Sequence, residues 1–484
     1  MKIPALLTDL YQLTMLAGYH ARQMHEEEAV FDLYFRNPPY RGSYAVFAGL
    51  QPALEYLENL QFSAEEINYL ASLNLFKSSF LEWLRDFRFR GQVMAPPEGT
   101  VVFPHTPLLS IEGSLAEVQL VESALLNVVN FQTLVATKAA RLSQVAGSGE
   151  VVEFGLRRAQ GPDGALSVAR AAAVGGVAST SNLLAGQLFG LPVKGTQAHS
   201  WVMAFASELE AFRAYTDSFP DSSVLLVDTY DTLKSGVPNA IKVASELRDK
   251  GHELLGIRLD SGDLAWLSRE ARKMLDTAGF PQIKILASNE LDEAAIEAIC
   301  HDGGRVDIYG VGARLATCAG EGGGALGGVY KLVEISGRPT LKATSDRAKA
   351  GLPGKKDLYR IADGRGDYLF DLITLQGEKV VCGDEVFDPE NPDRSQRIPA
   401  DIEFLEFRSL VMQAGVPLSK GEGLEVMAER CFQQLVRLPE GSLRRINPHR
   451  YKVSISRGLM QLRQQLLTEI SEQLENPDIP SRLI

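Results

Sequence analysis

Apolar residues recur every three or four positions in DLYQLTMLAGYHARQM and AGLQPALEYLENL, which predicts helices through the first part of the chain, to about Gly91. From GQVMAPPEGTVVFPHTPLLSIEG the texture changes to short β runs punctuated by Pro and Gly. AEVQLVESALLNVVNFQTLVATKAARLSQVAG returns to helical spacing and is long enough for two helices. The middle is the most regular region. EVVEFGLRR, GGVAST, LPVKGTQAH, SSVLLVDTYD, LLGIRLDSGD, QIKILASNEL and VDIYGVGARL read as strands, and most are separated by helical text such as DLAWLSREARKMLDTAGF. A strand–turn–helix unit repeated about seven times predicts an α/β fold with an irregular βα barrel, an open doubly wound sheet being the alternative. An additional α+β domain is expected from N-terminal and C-terminal segments. The expected divisions are 1–148 (helical and β-rich), 149–335 (catalytic barrel) and 336–484 (packing on the other two).

Polar residues sit where each strand run ends. They are Arg157 and Arg158, Thr180-Ser181-Asn182, Thr196 with His199, Asp228 with Asp231, Arg258 with Asp260 and Asp263, Ser288-Asn289, and Gly310-Val311-Gly312. In a βα barrel those ends converge on one mouth. A lone histidine such as His199 is ordinarily a satisfied core imidazole; a ring of polar residues at one phase of the repeat is not explained by packing.

Composition narrows the function. A net charge of -12 argues against a nucleic-acid partner, so an anionic ligand must be met by a few focused cations. The four cysteines show no CxxC pairing, which implies neither a zinc site nor a disulfide framework and points to a reducing compartment. MKIPALLTDLYQLTML, interrupted by Asp9, reads as neither a signal peptide nor a membrane span, so a cytoplasmic location is expected.

The candidate chemistry is that of phosphates. ASNEL and GVGARL, in the last two βα turns, have the small residues that let backbone N–H groups approach an anion. Asp228, Asp231, Asp260 and Asp263 offer oxygen ligands for Mg²⁺ bound with phosphates, or stabilise positive charge on a sugar carbon; helix capping is the alternative for each. Arg258, at the end of an apolar strand, must be paired with a carboxylate or await an anion. Lys138 and Arg141 are either a solvated helix face or functional. Gly322 to Gly327 matches GxGxxG but precedes the strand-like GGVYKLVEI, so no dinucleotide site is expected there.

Five ordered motifs, TDLYQLTM, EFGLRRAQGPDG, GTQAHS, RLDSGD and GGVYKLV, with a later NPHRYKVSIS, resemble those of nicotinate phosphoribosyltransferases, and they span nearly the whole chain. The resemblance implies a type II phosphoribosyltransferase that makes nicotinate mononucleotide and pyrophosphate from nicotinate and phosphoribosyl pyrophosphate. It also implies Mg²⁺ and coupled ATP hydrolysis, at the entry to NAD synthesis. It makes His199 a histidine phosphorylated by ATP, and Tyr11 the tyrosine that reaches nicotinate from the partner subunit, hence a homodimer with shared active sites. Phe154 resembles the aromatic that stacks on the pyridine. Thr196 and Arg258 resemble nicotinate contacts, and Arg157 a cation for nicotinate or phosphate. Asp260 resembles a ribose ligand, Asp228 an indirect support of Mg²⁺-pyrophosphate, and Gly312 a phosphate-loop donor. Ser288, Asn289 and Ala313 join them as substrate-binding positions. Ala313 stands where the family usually has threonine, so one hydroxyl contact to the ribose phosphate is absent.

Rivals remain. A nicotinamide-specific relative would carry an acidic acceptor where this chain has Ser179 to Asn182, and a quinolinate enzyme would need additional cations. A βα-barrel lyase acting on a phosphorylated sugar would want a Schiff-base lysine, for which Lys194 is the nearest candidate but points elsewhere by phase. SDRAKAGLPGKKDLYR is expected to be a solvated loop or a flap near phosphates, and GLMQLRQQLLTEISEQLEN an amphipathic helix.

Overall fold

A computed structural model describes residues 3–343 and 351–475. The chain forms two compact units, one of residues 1–134 with 321–484 and one of residues 135–320.

The first unit draws on both ends of the sequence. Its seven-stranded sheet places Glu28–Phe35 between Gly328–Ile335 and Leu109–Ser114, both antiparallel to it. The helical expectation to Gly91 therefore fails at EAVFDLYF. Seven of its eight residues are buried, so both sheet faces are covered and the run loses the alternation that marks a half-exposed strand. A six-stranded sheet completes the unit, and in it Arg360 lies opposite Asp371 on the antiparallel pair Lys356–Asp363 and Tyr368–Leu375. Two hydrogen bonds of 2.8 and 2.9 Å join the guanidinium to that carboxylate, and neither group is open to solvent. The basic stretch read as a solvated loop or flap lies outside the described residues at 345–350. From Lys356 onward it is strand, with Lys356, Leu358 and Arg360 at alternate positions on one buried face.

The second unit is a parallel sheet of short apolar strands: β1 (Glu150–Glu153), β2 (Ser179–Thr180), β3 (Val224–Leu226), β4 (Gly256–Leu259), β5 (Lys284–Ala287) and β6 (Ile308–Val311). Their order is β2-β1-β6-β5-β4-β3. Strands consecutive in sequence are neighbours except β2 and β3, which form the two ends of the order, and the last strand pairs with the first, Val311 opposite Glu153. LPVKGTQAH does not form a full strand; Val193 alone bridges Thr180 in parallel, and the paired order stops there on one side and at β3 on the other. Most of the connections are helical. α1 (Leu183–Phe189) follows β2, the five-residue α2 (His199–Met203) follows the Val193 bridge, α3 (Leu264–Thr277) follows β4 and the four-residue α4 (Ala313–Ala316) follows β6. The helical runs flagged as Lys138 and Arg141 belong to Glu122–Ala146, where both cations are buried against the Glu293 carboxylate; Arg141 is 3.1 Å from it. They are structural, and the solvated-face reading of them fails.

Candidate active site

Every parallel strand runs out at the same edge of the sheet, so the residue after each strand faces a common opening. That opening is a cleft of about 420 Å³. It is lined by Phe154, Arg157 and Arg158 after β1, Ser181 after β2, Thr196, Gln197 and His199 after the Val193 bridge, Arg258 and Asp260 at β4, Ser288, Asn289 and Glu290 after β5, and Gly312 and Ala313 after β6. Ten of the twelve sequence-predicted site residues are among them. Asp228 lies beneath, and Tyr11 stands on Leu10–Ala21 of the other unit, 47 % exposed. A larger cavity of about 600 Å³ in that unit is lined by residues such as His105, Arg394 and Arg450 and contains none of the predicted residues. Chemistry, not volume, locates the candidate site.

Arg258 organises the floor. Its Nε donates to Ser288 Oγ at 2.8 Å, one terminal nitrogen to Thr196 Oγ1 at 3.0 Å, and the other to Asp260 Oδ1 at 2.7 Å. It is therefore paired with a carboxylate, one of the two outcomes the sequence allowed. A guanidinium carries five N–H donors, so two remain for a ligand. Its carbon stands 5.7 Å from the centre of the Phe154 ring, and the ring rests against Gly310, where an added Cβ would lie 2.6 Å from a ring carbon. Burial acts to raise the Asp260 carboxyl, but the hydrogen bond from Ser288 and the Arg258 charge outweigh it and hold the group below the usual carboxylate range.

His199 opens α2 with its ring 41 % exposed. Its Nδ1 is 3.1 Å from Thr229 Oγ1, while Nε2 faces Asp260 Oδ2 at 3.7 Å and Asp228 Oδ1 at 4.0 Å. Asp228 is held by its other oxygen, which accepts from the Asp260 backbone N–H (2.8 Å) and from Ser261 Oγ (2.7 Å). The capping alternative holds for Asp231 and Asp263, whose carboxylates accept from Lys234 N and Trp266 N at 2.9 Å each, and not for Asp228 or Asp260. Lys194 is exposed and ion-paired with Glu150, outside the cleft lining.

After β6, Gly312 is the N-cap of α4 with no side-chain cap, so the first backbone N–H groups of that turn are left for another acceptor. Asn289 and Glu290 both have positive φ, 94° and 32°, at the close of β5. Such strain in two successive non-glycine residues is a mark of functional loops. Sequence reading did not single out Thr229, Gln197 or Glu290: folding brings Thr229 to His199 and Glu290 to Arg314, and sets Gln197 in the cleft lining.

Among the described residues no group of three or more His, Cys, Asp or Glu side chains gathers to hold a metal, and no helix is long and apolar enough to cross a membrane.

Against this geometry the comparisons with known proteins agree along the chain. Residues 6–130 match the N-terminal domain of nicotinate phosphoribosyltransferase, 150–385 the nicotinate phosphoribosyltransferase family, and 355–463 its C-terminal domain. The Bacillus subtilis nicotinate phosphoribosyltransferase is 41 % identical, covering 97 % of this chain and 96 % of its own. The Arabidopsis thaliana nicotinate phosphoribosyltransferase 2 is 39 % identical, covering 94 % and 93 %. The crystal structure of human nicotinic acid phosphoribosyltransferase superposes with a TM-score of 0.85 at 33 % identity, covering 95 % of this chain and all of that one. The chain belongs to the nicotinate phosphoribosyltransferase family.

Proposed function

We propose that the protein is an ATP-dependent nicotinate phosphoribosyltransferase of NAD biosynthesis. Nicotinate and phosphoribosyl pyrophosphate give nicotinate mononucleotide and pyrophosphate, and ATP hydrolysis is coupled through a phosphohistidine at His199. The observation that carries this is a single cleft lined together by His199, Arg258 and Asp260, an aromatic ring, Phe154, and a backbone turn without a side-chain cap at Gly312.

The pyridine ring is assigned to the face of Phe154. Its carboxylate goes to the two spare donors of Arg258, with Thr196 alongside and Arg157 as a second cation. The ribose is assigned to Asp260 and its phosphate to Ser288, Asn289, Gly312 and Ala313. As the bond from the sugar carbon to pyrophosphate breaks, positive charge develops on the ribose, and an Asp260 carboxylate kept ionised is placed to stabilise it. The bond that forms uses the pyridine nitrogen's own lone pair, so no side-chain base is required. In the coupling step an imidazole nitrogen of His199 attacks the terminal phosphorus of ATP and ADP departs; water later cleaves the phosphorus–nitrogen bond and releases phosphate.

The donor set fits Mg²⁺ that arrives on phosphate. Among the described residues, Asp228 Oδ1 is buried without a hydrogen-bond partner, beside the imidazole, and Mg²⁺ is commonly held by one or two carboxylates plus substrate phosphates. Asp228 would support such an ion, whose charge would neutralise phosphate oxygens, and its other oxygen keeps the Asp260 backbone in place.

The rest of the proposal is architectural. The parallel sheet is an irregular barrel, supported by its last strand pairing with its first. Exposed Tyr11 serves the partner subunit's site in a cytoplasmic homodimer. Nicotinamide and quinolinate are the rival substrates, and the absence of a carboxylate from Ser179 to Asn182 favours nicotinate.

Pyrophosphate release is measured with each of the three pyridines, with and without ATP. Nicotinate should be turned over best and ATP should raise its rate. Phosphate incorporated from ATP should vanish in His199→Ala. Preference for either rival, or labelling that survives the substitution, refutes the assignment.

A further inference from the structure

Glu153 ends β1, one residue before Phe154, and is 1 % exposed. No basic side chain pairs with it among the described residues; its Oε1 accepts the Gly155 N–H, and its Oε2 accepts from Thr180 Oγ1 at 2.5 Å. Thr180 Oγ1 in turn accepts the Asn182 N–H at 3.0 Å, so its one proton is committed to Glu153. The Glu153 carbonyl meanwhile accepts the Ser181 N–H at 2.9 Å. Both carboxylate oxygens therefore face donors, and two loops of the cleft, 154–158 and 180–182, are tied through one side chain. A third contact fixes the same turn. A Cβ at Gly155 would lie 2.6 Å from Ala316 Cβ and 3.1 Å from the Gly312 carbonyl oxygen, so the turn is seated directly on the phosphate loop.

A buried carboxylate without a cation is costly, and burial pushes this one above the usual range in spite of its two hydrogen bonds. Packing alone would be served better by an apolar residue. What an acceptor-only group supplies here is a clamp between two sets of N–H and O–H donors.

We propose that Glu153, acting through Thr180 and Gly155, is the positioning residue of the pyridine subsite: it sets the Phe154–Arg157 turn against the Ser181 loop, so that nicotinate binding depends on it more than turnover does. This rests on the nicotinate assignment above. A glutamine at 153 keeps the shape but presents an NH₂ to one of the two donors, and valine at 180 removes the hydroxyl with little change in volume.

The test uses the full-length enzyme, varying nicotinate at saturating phosphoribosyl pyrophosphate and the reverse. Glu153→Gln and Thr180→Val should each raise the nicotinate KM by about tenfold or more, with kcat and the other KM within about threefold. Thr180→Ser should restore the wild-type value, and the double variant should be no worse than the worse single one, since one hydrogen bond is lost in both. Should Glu153→Gln fail to fold, the Thr180 pair decides. An unmoved nicotinate KM, or equal losses in kcat and both KM values, overturns the positioning role while the wild-type activity stands. Wild-type protein that turns over no nicotinate overturns the activity itself, and the positioning role with it.

Discussion

Gly310→Ala isolates the contribution of a ring seat by adding one methyl group. Gly310 lies within β6, outside the left-handed region, so its backbone accepts alanine. The obstacle is Phe154. An added Cβ would stand 2.6 and 2.7 Å from Cδ2 and Cε2 of the ring, whereas its approach to Ser288 Cβ, at 3.4 Å, is ordinary contact. Restoring normal carbon–carbon separation of about 3.5–4.0 Å requires the ring to retreat by roughly 1 Å. Overpacking of this kind costs about 1–3 kcal/mol, and the ring is free to move because it borders the cleft, so the strain should appear as a displaced aromatic face more than as lost stability. At about 1.4 kcal/mol per decade, nicotinate kcat/KM should fall by roughly 5–150-fold. The phosphoribosyl pyrophosphate KM should change far less, and the melting temperature by no more than about 4 °C. Steady-state kinetics with each substrate varied, together with calorimetry, gives all three numbers. Unchanged nicotinate kcat/KM in a folded Gly310→Ala protein would refute the seat, and with it the role of Phe154 as the pyridine platform.

Three further outcomes are expected. Ala313→Thr should lower the phosphoribosyl pyrophosphate KM by returning a hydroxyl to the first residue of α4; an equal or higher KM counts against a phosphate site there. Gln197, 6 % exposed, has both amide atoms buried and, among the described residues, without a hydrogen-bond partner. Gln197→Leu should therefore raise stability by up to about 1–3 kcal/mol, and a clear loss in denaturant unfolding would mean the amide has a partner in solution. Asp260 has a depressed carboxyl, so its ionisation contributes stability that is present above the unfolded-state value, near 3.8, and is lost as pH falls through the lower folded value. Acid titration of Asp260→Asn should show a shallower loss in that window, and identical acid limbs for the two proteins would exclude the linkage.

The site was legible because its residues recur at one phase of a repeat: Arg258, Asp260, Ser288 and Gly312 each follow an apolar run that could be read directly. Thr229 and Glu153 were not, since a threonine within a VDTYD turn or a glutamate before phenylalanine carries no periodic signal until the chain brings it beside His199 or Thr180. Glu28–Phe35 was misread for the opposite reason, being too uniformly apolar to show a period of two. The acidic pair Asp231 and Asp263 matched both capping and ligand patterns, and only the direction of the carboxylate separates these.

The sheet that holds Glu28–Phe35 has a consequence for biosynthesis. One of that strand's two neighbours, Gly328–Ile335, emerges from the ribosome only after the whole 135–320 unit has been made. At about 5–20 residues per second, the first segment waits roughly 10–40 s with an apolar edge unpaired, while the unit encoded later already has all its strands. Maturation thus runs from the middle outward, and the nascent amino-terminal segment is where a holdase would be needed.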